Sequence, residues 1–447
     1  MVQTLRWARA PLSFLEEAWA TYGDAFTIRI APWGAVVVLA HPDAVREVFA
    51  ADPAVVLGGR PNRVVTKAFG EASVVVLDGP EHARQRKLLS PAFQAARMDA
   101  YGQVMLDLAG RRMKGWPRGA TFALLPETLA ITREVILRTV FGIEDGARME
   151  ELSALFATAL DMLSSPALLV PALQRDLGPL SPWGRYARVS TRIDAILLAE
   201  ISERRRGAPA EASRPRDDVL SSLLAARDDA GRPMTDRELR DELFTSLAAG
   251  HETTASSLAW AARWLASRQD VVARLRDELD GATDDAGALS PPRVAKLPFL
   301  DATVREVLRL CPILPLVGRE LAADATIGGL RLRAGTVVAP AVHLVHRRPD
   351  LYPSPDAFRP ERFADGFRPG PAEWLPFGGG ARRCLGAAFA TYEMKMVLAE
   401  LVRELDVAIA PGASVAPERR GISIAPADGL RVRVGTRRRG GAAHTGG

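Results

Sequence analysis

The pattern from Asp236 to about Ser267 constrains the fold more than any other stretch of the chain. Thr235 and Glu238 have the T-x-x-E spacing of a capping box, which marks the start of a helix. About 32 residues at about 1.5 Å rise give a rod of roughly 48 Å, long enough to cross the whole molecule. Its middle reads LAAGHETTASS, where a core helix is expected to carry Leu and Ile. The sequence therefore predicts a central helix with polar groups inside the fold.

The rest of the chain predicts one large domain around this helix. Helical patterns dominate from about Ala92 to Ala266, and β-rich stretches occur near Ala25 and again in ATIGGLRLRAGTVVAPAVHLV and GISIAPADGLRVRV. No repeat or clean boundary divides the 447 residues. We predict a mainly α protein with a smaller β portion, a single domain over residues 1–447, with 1–10 and 436–447 as flexible termini.

Composition excludes several classes of protein. No run of 18 apolar residues occurs, so no transmembrane segment is predicted. The amphipathic start, MVQTLRWARAPLSFLEEAW, lacks the apolar region of a signal peptide, and two cysteines provide no disulfide framework, so a cytoplasmic location is expected. The net charge of +5 comes from arginines interleaved with acids, which favours a solvated surface or a patch for an acidic protein over nucleic-acid binding.

One cysteine, Cys384, lies in an unusual setting, FGGGARRCLG. A strong helix pattern follows it, so free amides and the helix dipole act on the thiol, and Arg382 and Arg383 add positive charge. Both effects predict a lowered pKa and a thiolate. The glycines and Gly386 remove side-chain bulk, so a large flat ligand could lie against this backbone.

Three uses of such a thiolate compete. A catalytic nucleophile needs a base nearby in space, and none of the six histidines is near in sequence. A zinc site needs three or four ligands, and the second thiol, Cys311, lies in an unrelated context. A single axial ligand to haem iron needs one cysteine, room for the macrocycle and cations for its propionates, and it accounts for all the features together.

The segment resembles the F-x-x-G-x-R-x-C-x-G signature of the cytochrome P450 haem-thiolate monooxygenases, through Phe377, Gly380, Arg382, Cys384 and Gly386. The resemblance implies a triangular-prism-like fold with the long helix over haem b, and Cys384 as the axial ligand. Further matches follow the same order along nearly the whole chain.

The resemblance also assigns residues around the haem. It implies a structural network of Glu306 and Arg309 in REVLRLCP with Arg362 in FRPERF. The implied contacts to the haem are Cys384, His82, Arg86, Arg319, Arg382, Phe377, Gly378, Ala249, Gly250 and Gly386.

The polar middle of the long helix resembles the oxygen-activation segment of the same family. AGHETT, from Ala249 to Thr254, matches A-G-x-[DE]-T-[TS]. The resemblance implies that Thr253 holds iron-bound dioxygen and a water, with Thr254 as the fallback, and that Glu252 passes protons inward. His251 is expected to face away from the iron.

This acid–alcohol pair separates three hypotheses. The first is a monooxygenase that hydroxylates or epoxidises a hydrophobic small molecule. The second is a peroxygenase or isomerase of the same fold, and the third is a catalytically silent haem protein that acts as a docking or sensor module. Because Glu252 and Thr253 are both present, the sequence favours the first.

The resemblance extends to partners and substrate. No nicotinamide or flavin motif occurs, so a separate ferredoxin and ferredoxin reductase are expected to supply electrons, with Arg84, Lys87 and Arg383 as candidates for a docking patch, and the protein is expected to be a monomer. By family position, an apolar pocket is expected for a terpenoid, fatty acyl or polyketide skeleton, with Lys67 and Arg63 at its rim. Its predicted lining is Val75, Val76, Phe244, Leu247, Ala248, Leu316, Val317 and Ile424.

Overall fold

The computed structural model describes residues 2–94, 98–142, 146–165, 170, 173–178, 180–207 and 218–436. The helices in these ranges are α1 (Val2–Arg9), α2 (Pro11–Tyr22), α3 (Pro42–Ala50), α4 (Thr66–Phe69), α5 (Gly79–Leu89), α6 (Met98–Lys114), α7 (Leu124–Phe141), α8 (Gly146–Leu163), α9 (Pro182–Arg205), α10 (Val219–Ala225), α11 (Asp236–Leu265), α12 (Gln269–Asp280), α13 (Pro291–Ala295), α14 (Pro298–Leu310), α15 (Val342–His346), α16 (Glu361–Ala364) and α17 (Ala387–Glu404).

The β portion is small and divided. Its strands are β1 (Ala25–Ile30), β2 (Gly34–Leu39), β3 (Val56–Leu57), β4 (Thr121–Ala123), β5 (Arg319–Leu321), β6 (Ala325–Ile327), β7 (Leu330–Leu332), β8 (Val337–Pro340), β9 (Leu405–Ile409), β10 (Pro417–Arg420), β11 (Ser423–Pro426) and β12 (Arg431–Thr436). The main sheet has the order β1-β2-β8-β5-β3, in which only β2 and β8 run parallel. A second sheet has the order β4-β12-β9, and β10 with β11 and β6 with β7 form separate hairpins. The predicted mainly α fold with a smaller β portion is confirmed.

The long helix, α11, begins and runs as the sequence predicts. Thr235 accepts from the backbone N–H of Glu238, and the Glu238 carboxylate accepts from the backbone N–H of Thr235, so the capping box is complete. Helix α7 packs along α11, and the hydroxyl groups of Thr128 and Thr132 donate to the carbonyls of Ala255 and His251. Polar contacts as well as apolar ones therefore fix the position of α11 in the core.

The two ends of the chain differ in what the structure describes. Residues Val2–Arg9 form α1, and its Trp7 is buried, so this part of the predicted flexible terminus is helical and packed. Residues 437–447 lie outside the described residues, as does 208–217 in the predicted surface loop. No helix in the described ranges combines the length and the apolarity needed to cross a membrane.

The predicted network of Glu306, Arg309 and Arg362 forms at the C-terminal end of α14. Glu306 and Arg309 are fully buried, and two guanidinium nitrogens of Arg309 each lie 2.8 Å from a carboxylate oxygen of Glu306. Arg362 lies 3.5 Å from Glu306, and Arg309 also donates to the carbonyls of His346 and Pro355. Because these carbonyls belong to the segment between α15 and α16, the ion pair ties α14 to the chain that leads toward Cys384.

Removing the carboxylate of this network should destabilise the protein strongly. In Glu306→Ala, Arg309 stays buried without its counter-charge, and we expect a loss of about 3–5 kcal/mol in the free energy of unfolding, measured by urea titration with far-ultraviolet circular dichroism. The control is Asp356→Ala, which removes the exposed partner of Arg347 and should cost less than about 1 kcal/mol. Equal losses in the two variants would contradict this account of the buried pair.

A second buried carboxyl group, Glu393 on α17, has no such counter-charge. The side chain is fully buried, and neither carboxyl oxygen has a hydrogen-bond partner in the described part of the chain. Burial raises the pKa of Glu393 well above its usual value. The carboxyl group is therefore held neutral at neutral pH.

The variant Glu393→Gln should gain stability relative to the native protein as the pH rises. A raised pKa in the folded state means that stability is fully present below the unfolded pKa and falls above it, here by about 1.4 kcal/mol for each pH unit until the folded pKa is reached. The difference in melting temperature between variant and native protein should thus grow between about pH 5.5 and pH 7.5. Glu404→Gln, on the exposed end of the same helix, is the control. A pH-independent difference for Glu393→Gln would show that the carboxyl group is not held neutral.

Candidate active site

The segment around Cys384 forms a tight turn just before α17. The backbone N–H of Cys384 donates to the carbonyl of Phe377 at 2.9 Å, and that of Arg383 donates to Gly380 at 3.0 Å. Gly378 and Gly380 have φ values of 64° and 65°, a region that residues with a side chain rarely adopt. The turn therefore needs glycine at these two positions, and it places Cys384 two residues before Gly386, the N-cap of α17.

The glycines have different roles, which corrects the prediction that they all make room for a flat ligand. A Cβ added at Gly379 would collide with the ring of Phe49, and one at Gly380 would collide with the Phe49 carbonyl. These two glycines let the turn pack against α3. A Cβ at Gly378 would have no atom within 4 Å, and one at Gly386 would lie 4.0 Å from the Cys384 sulfur. Only Gly378 and Gly386 leave space beside the thiol.

The predicted lowering of the Cys384 pKa is wrong for the chain itself. Burial among protein atoms raises the pKa of the thiol, although its side chain keeps some exposed surface, and this effect outweighs the others. The backbone N–H of Gly386 and the charge of Arg383 lower it, as expected, but by less, and Arg86 rather than the predicted Arg382 is the second arginine that lowers it. The sequence therefore predicted the helix terminus and Arg383 correctly and missed the desolvation. A coordinating metal ion deprotonates a thiol outright, so this pKa does not prevent ligation.

Four cationic or imidazole side chains assemble beside the cysteine turn. His82, Arg319 and Arg382 line one cleft, together with Gly379 of the turn. Burial, then Arg382 and Arg86, lower the pKa of His82 to about 4, and burial and Arg382 lower the pKa of Arg319 to about 10. His82 is therefore neutral at neutral pH.

The same group tests whether a haem fits this site. Arg319 and Arg382 line the cleft, and a carboxylate oxygen of Asp78 lies 2.5 Å from Arg382. Arg382 lowers the pKa of Arg319, and Arg86 lowers the pKa of Arg382, so an anionic ligand would stabilise these buried cations. Two propionates supply that charge, and the cysteine turn supplies the thiol, so the side chains present fit a haem.

Helix α11 places the predicted distal residues on different sides. Near the middle of α11, Ala249 is exposed and Thr253 is half-buried, and the Thr253 hydroxyl donates to the Ala249 carbonyl at 2.7 Å, so both occupy one open face. Thr254 is 2% exposed. A Cβ added at Gly250 would lie 2.8 Å from the Ile136 side chain, so this glycine permits close packing of α7. The approach of its backbone to the haem stays a prediction.

Glu252 lies at the edge of the open face. Its carboxylate accepts from the hydroxyl of Ser423 at 2.5 Å, and the guanidinium of Arg420 lies 3.7 Å away. Burial raises the pKa of Glu252, while Ser423 and Arg420 lower it. The neighbouring His251 is buried, and burial lowers its pKa to about 3, in agreement with a side chain that faces away from the open side.

The predicted pocket residues divide into two groups. Val75, Ala248, Leu316 and Val317 are half-buried, so each keeps some exposed apolar surface. Phe244 is fully buried, where it contacts the rings of Phe69 and Phe156. It belongs to the core, so its assignment to the pocket is corrected. The remaining three, Val76, Leu247 and Ile424, are 9%, 1% and 3% exposed and offer little surface to a ligand.

Polar anchors that the sequence did not reveal hold the pocket segment 72–77. The backbone N–H groups of Ala72 and Val74 donate to the carboxylates of Asp241 and Glu242 on α11. On the other side, Arg382 donates to the carbonyls of Val74 and Leu77. This segment therefore connects the long helix to the cysteine turn. The acids at the start of α11 look like ordinary surface residues in sequence, so no signal identified them.

The residues proposed for a docking patch also differ from one another. Arg84 donates to Asp228 and Glu238 and is thereby engaged within the chain. Lys87 is exposed but contacts Asp229. Arg383 is exposed, and its side chain makes no hydrogen bond or ion pair in the part of the chain that the structure describes.

The rim cations predicted for the pocket, Arg63 and Lys67, are both exposed. Lys67 donates to the carbonyl of Gln174 at 2.8 Å and lies over the ring of Trp183.

The alternatives for the thiol are narrowed by this geometry. Within the described ranges, no group of three or more His, Cys, Asp or Glu side chains could hold a metal ion, which removes the zinc site. The charged groups that act on Cys384 are Arg383 and Arg86, and a guanidinium cannot serve as a general base. Of the three uses considered for the Cys384 thiol, coordination of haem iron is the one that remains.

Comparison with known proteins agrees with this site. The family model for cytochrome P450 matches residues 1–429. Among curated proteins, the putative cytochrome P450 135B1 of Mycobacterium bovis is 37% identical over 97% of this chain and 89% of its own length. The putative cytochrome P450 135A1 of Mycobacterium tuberculosis is 36% identical over 98% of this chain and 94% of its own length.

Solved structures show the same fold. A cyanobacterial CYP120A1 bound to retinoic acid superposes with a TM-score of 0.85 at 28% identity, covering 97% of this chain and 96% of its own. The haem domain of cytochrome P450DA superposes with a TM-score of 0.84 at 23% identity, covering 97% and 95%, and supports the fold alone. From the cysteine turn, the buried cations, the central helix and these matches, the chain belongs to the cytochrome P450 family, whose members bind haem through a cysteine thiolate.

Proposed function

We propose that this protein is a haem-dependent monooxygenase that hydroxylates or epoxidises a hydrophobic small molecule, with electrons from a separate ferredoxin and ferredoxin reductase. The observation that carries the proposal is the acid–alcohol pair of α11. Thr253 shares an open face with Ala249, and Glu252 lies next to it with a raised pKa. A haem protein that only docks or senses has no need for a buried, protonatable acid beside such a hydroxyl.

On the proximal side, Cys384 would supply the thiolate that binds the haem iron. His82, Arg86, Arg319 and Arg382 would hold the propionates, because the three arginines carry buried positive charge and the neutral His82 can donate a hydrogen bond. When bound, the haem supplies the activation of dioxygen and the transfer of one oxygen atom. The tight turn at Gly378 and Gly380 keeps the thiol in a fixed position relative to α17.

On the distal side, Thr253 and Glu252 control protons. The Thr253 hydroxyl donates to Ala249, and its oxygen retains lone pairs that accept a hydrogen bond from a water. Glu252, whose side chain is 19% exposed, takes a proton from solvent and passes it toward that water. The acid suits this role because burial raises its pKa, which favours the protonated form that has a proton to pass on.

The substrate is apolar over most of its surface. Val75, Ala248, Leu316 and Val317 offer aliphatic side chains without a buried charge among them. One structural neighbour is bound to retinoic acid, an isoprenoid acid, which supports a terpenoid or fatty acyl skeleton here. Lys67 contacts Gln174 and Trp183. In this proposal it lies at the rim of the substrate pocket and meets an acid group of the substrate near the pocket entrance.

Electron transfer uses the cysteine side of the molecule. Of the three cations proposed for the ferredoxin patch, Arg383 is exposed and adjacent to Cys384. Arg84 is held by two carboxylates, so we assign it a structural role. We place the centre of the docking patch at Arg383, with Lys87 at its edge.

The first test concerns the ligand. The carbon monoxide difference spectrum of the reduced protein should show the Soret band of thiolate-ligated haem, and Cys384→Ser should lose that band because a serine oxygen does not donate charge in the same way. Cys311→Ser is the matched control and should keep the band, since Cys311 is buried beside Trp264. A thiolate band that persists in Cys384→Ser would overturn the assignment.

The second test concerns the distal pair. The test uses a compound that shifts the absorption spectrum of the protein, chosen from a panel of terpenoids and fatty acids. With this compound, Thr253→Ala should divert at least about half of the oxygen consumed to peroxide, because the water near the reaction site is no longer held. The measurement compares product formed with oxygen used. Thr254→Ala removes the same atoms from the buried side of α11 and should stay coupled. Full coupling in Thr253→Ala would exclude the proposed role.

A further inference from the structure

Hairpin β10–β11 brings a buried polar side chain, Ser423, against α11. In β11, Ser423 is followed by Ile424, Ala425 and Pro426, and all four residues are buried. Ser423 is 1% exposed and pairs with Arg420 across the hairpin. A polar group in so apolar a strand needs a partner, and its partner is the carboxyl group of Glu252.

The hairpin does not depend on this contact for its position. The indole N–H of Trp260, about two turns further along α11, donates to the carbonyl of Ile424 at 3.1 Å. The backbone N–H of Ile424 donates to the carbonyl of Ile313 at 3.0 Å. Because these bonds fix the position of β11, the contact between Ser423 and Glu252 is not needed to hold the hairpin and can have a functional role.

The hydroxyl of Ser423 has two acceptors within reach. Its oxygen lies 2.5 Å from the Glu252 carboxyl group and 2.9 Å from the carbonyl of Arg420. A hydroxyl donates one hydrogen bond and can accept others. When Glu252 is ionised, Ser423 donates to it; when Glu252 is protonated, Glu252 donates to Ser423, and Ser423 donates to the Arg420 carbonyl. Both protonation states are therefore satisfied without movement of heavy atoms.

The charges around Glu252 allow its carboxyl group to change its protonation state. Arg420 is 3.7 Å from Glu252, too far for a hydrogen bond, and it also lies 3.4 Å from Asp161, whose side chain is 80% exposed. On the other side, His251 is buried with a lowered pKa, and the nearest further charge acting on it is Arg133. The neighbours of Glu252 are thus His251, which is neutral, and Arg420, which is only loosely paired. Solvent lies on the side of Asp161.

We propose that Ser423 is a positioning residue that holds Glu252 at the solvent edge of α11 and lets it alternate between its protonated and ionised forms. The inference rests on the proposed function and extends it. In each cycle Glu252 releases one proton toward Thr253 and regains one from solvent on the side of Arg420 and Asp161. The hydroxyl of Ser423 rotates during this exchange but neither gains nor loses a proton overall, so the number of protons balances.

The first measurement needs no turnover. Infrared difference spectra of the ferric holoprotein against pH should show the carbonyl band of protonated Glu252, which is identified by its loss in Glu252→Gln. Because Ser423 stabilises the ionised form, Ser423→Ala should raise the midpoint of this band by about one to two pH units. Ser423→Thr keeps the hydroxyl and should restore the native midpoint.

The second measurement follows the reoxidation of dithionite-reduced holoprotein by air-saturated buffer in H₂O and D₂O. Ser423→Ala should move the alkaline limb of the pH profile upward with the infrared midpoint, and it should change the solvent isotope effect at least about twofold. Ser423→Thr should follow the native protein. A purely structural role would lower stability in Ser423→Ala but leave both the midpoint and the profile in place.

The outcomes separate this inference from the proposed function. If Ser423→Ala leaves the infrared midpoint unchanged while Glu252→Gln and Thr253→Ala uncouple oxygen use from product, only the role of Ser423 is wrong. If Glu252→Gln and Thr253→Ala remain coupled with the panel compound, the proposed function fails, whatever Ser423 does. Far-ultraviolet circular dichroism and the melting temperature check that each variant stays folded.

Discussion

The polar contacts along α11 are the constraint on which the rest of the structure depends. A buried helix of 30 residues is held by apolar packing, but its register against its neighbours is set by directional bonds. Thr128 and Thr132 of α7 bind its carbonyls, Asp241 and Glu242 hold the pocket segment, and Glu252 meets Ser423. Because buried polar groups cost free energy unless they are paired, these contacts fix the helix more strictly than packing does. The open face with Ala249 and Thr253 is a consequence of that placement.

The cysteine side depends on a different balance, between charge and burial. Arg86, Arg319 and Arg382 gather beside His82, which is neutral, and burial makes their positive charge costly. Arg382 also binds the segment that carries Val75, so the groups that fit the propionates are mechanically connected to the substrate pocket. A bound haem would therefore have a structural effect as well as a chemical one, since its propionate charges would neutralise buried arginines that the protein leaves positive.

Much of the fold and of the site could be predicted from the sequence, and the errors share one cause. Spacing identified the capping box of α11, the Glu306–Arg309 pair and the cysteine turn, because these are local patterns. The prediction that all glycines of the cysteine turn make room for a ligand failed at Gly379 and Gly380, because it concerns which neighbour a small residue meets, here Phe49. The lowered thiol pKa failed for the same reason, since burial is a property of the assembled fold. A serine in an otherwise apolar strand was a visible signal for Ser423, but only the fold showed that it meets Glu252.

The sequence by itself determined the family and the mainly α architecture, and it predicts the thiol ligand and the acid–alcohol pair, because each rests on residues close together in the chain. Tertiary structure alone decided which glycines face the site, which cations are free on the surface, and which groups set the protonation of Glu252. The physical reason is that desolvation and hydrogen bonding between distant segments depend on three-dimensional proximity. Glu252 and Ser423 are adjacent only because α11 and a hairpin near the end of the described chain pack together.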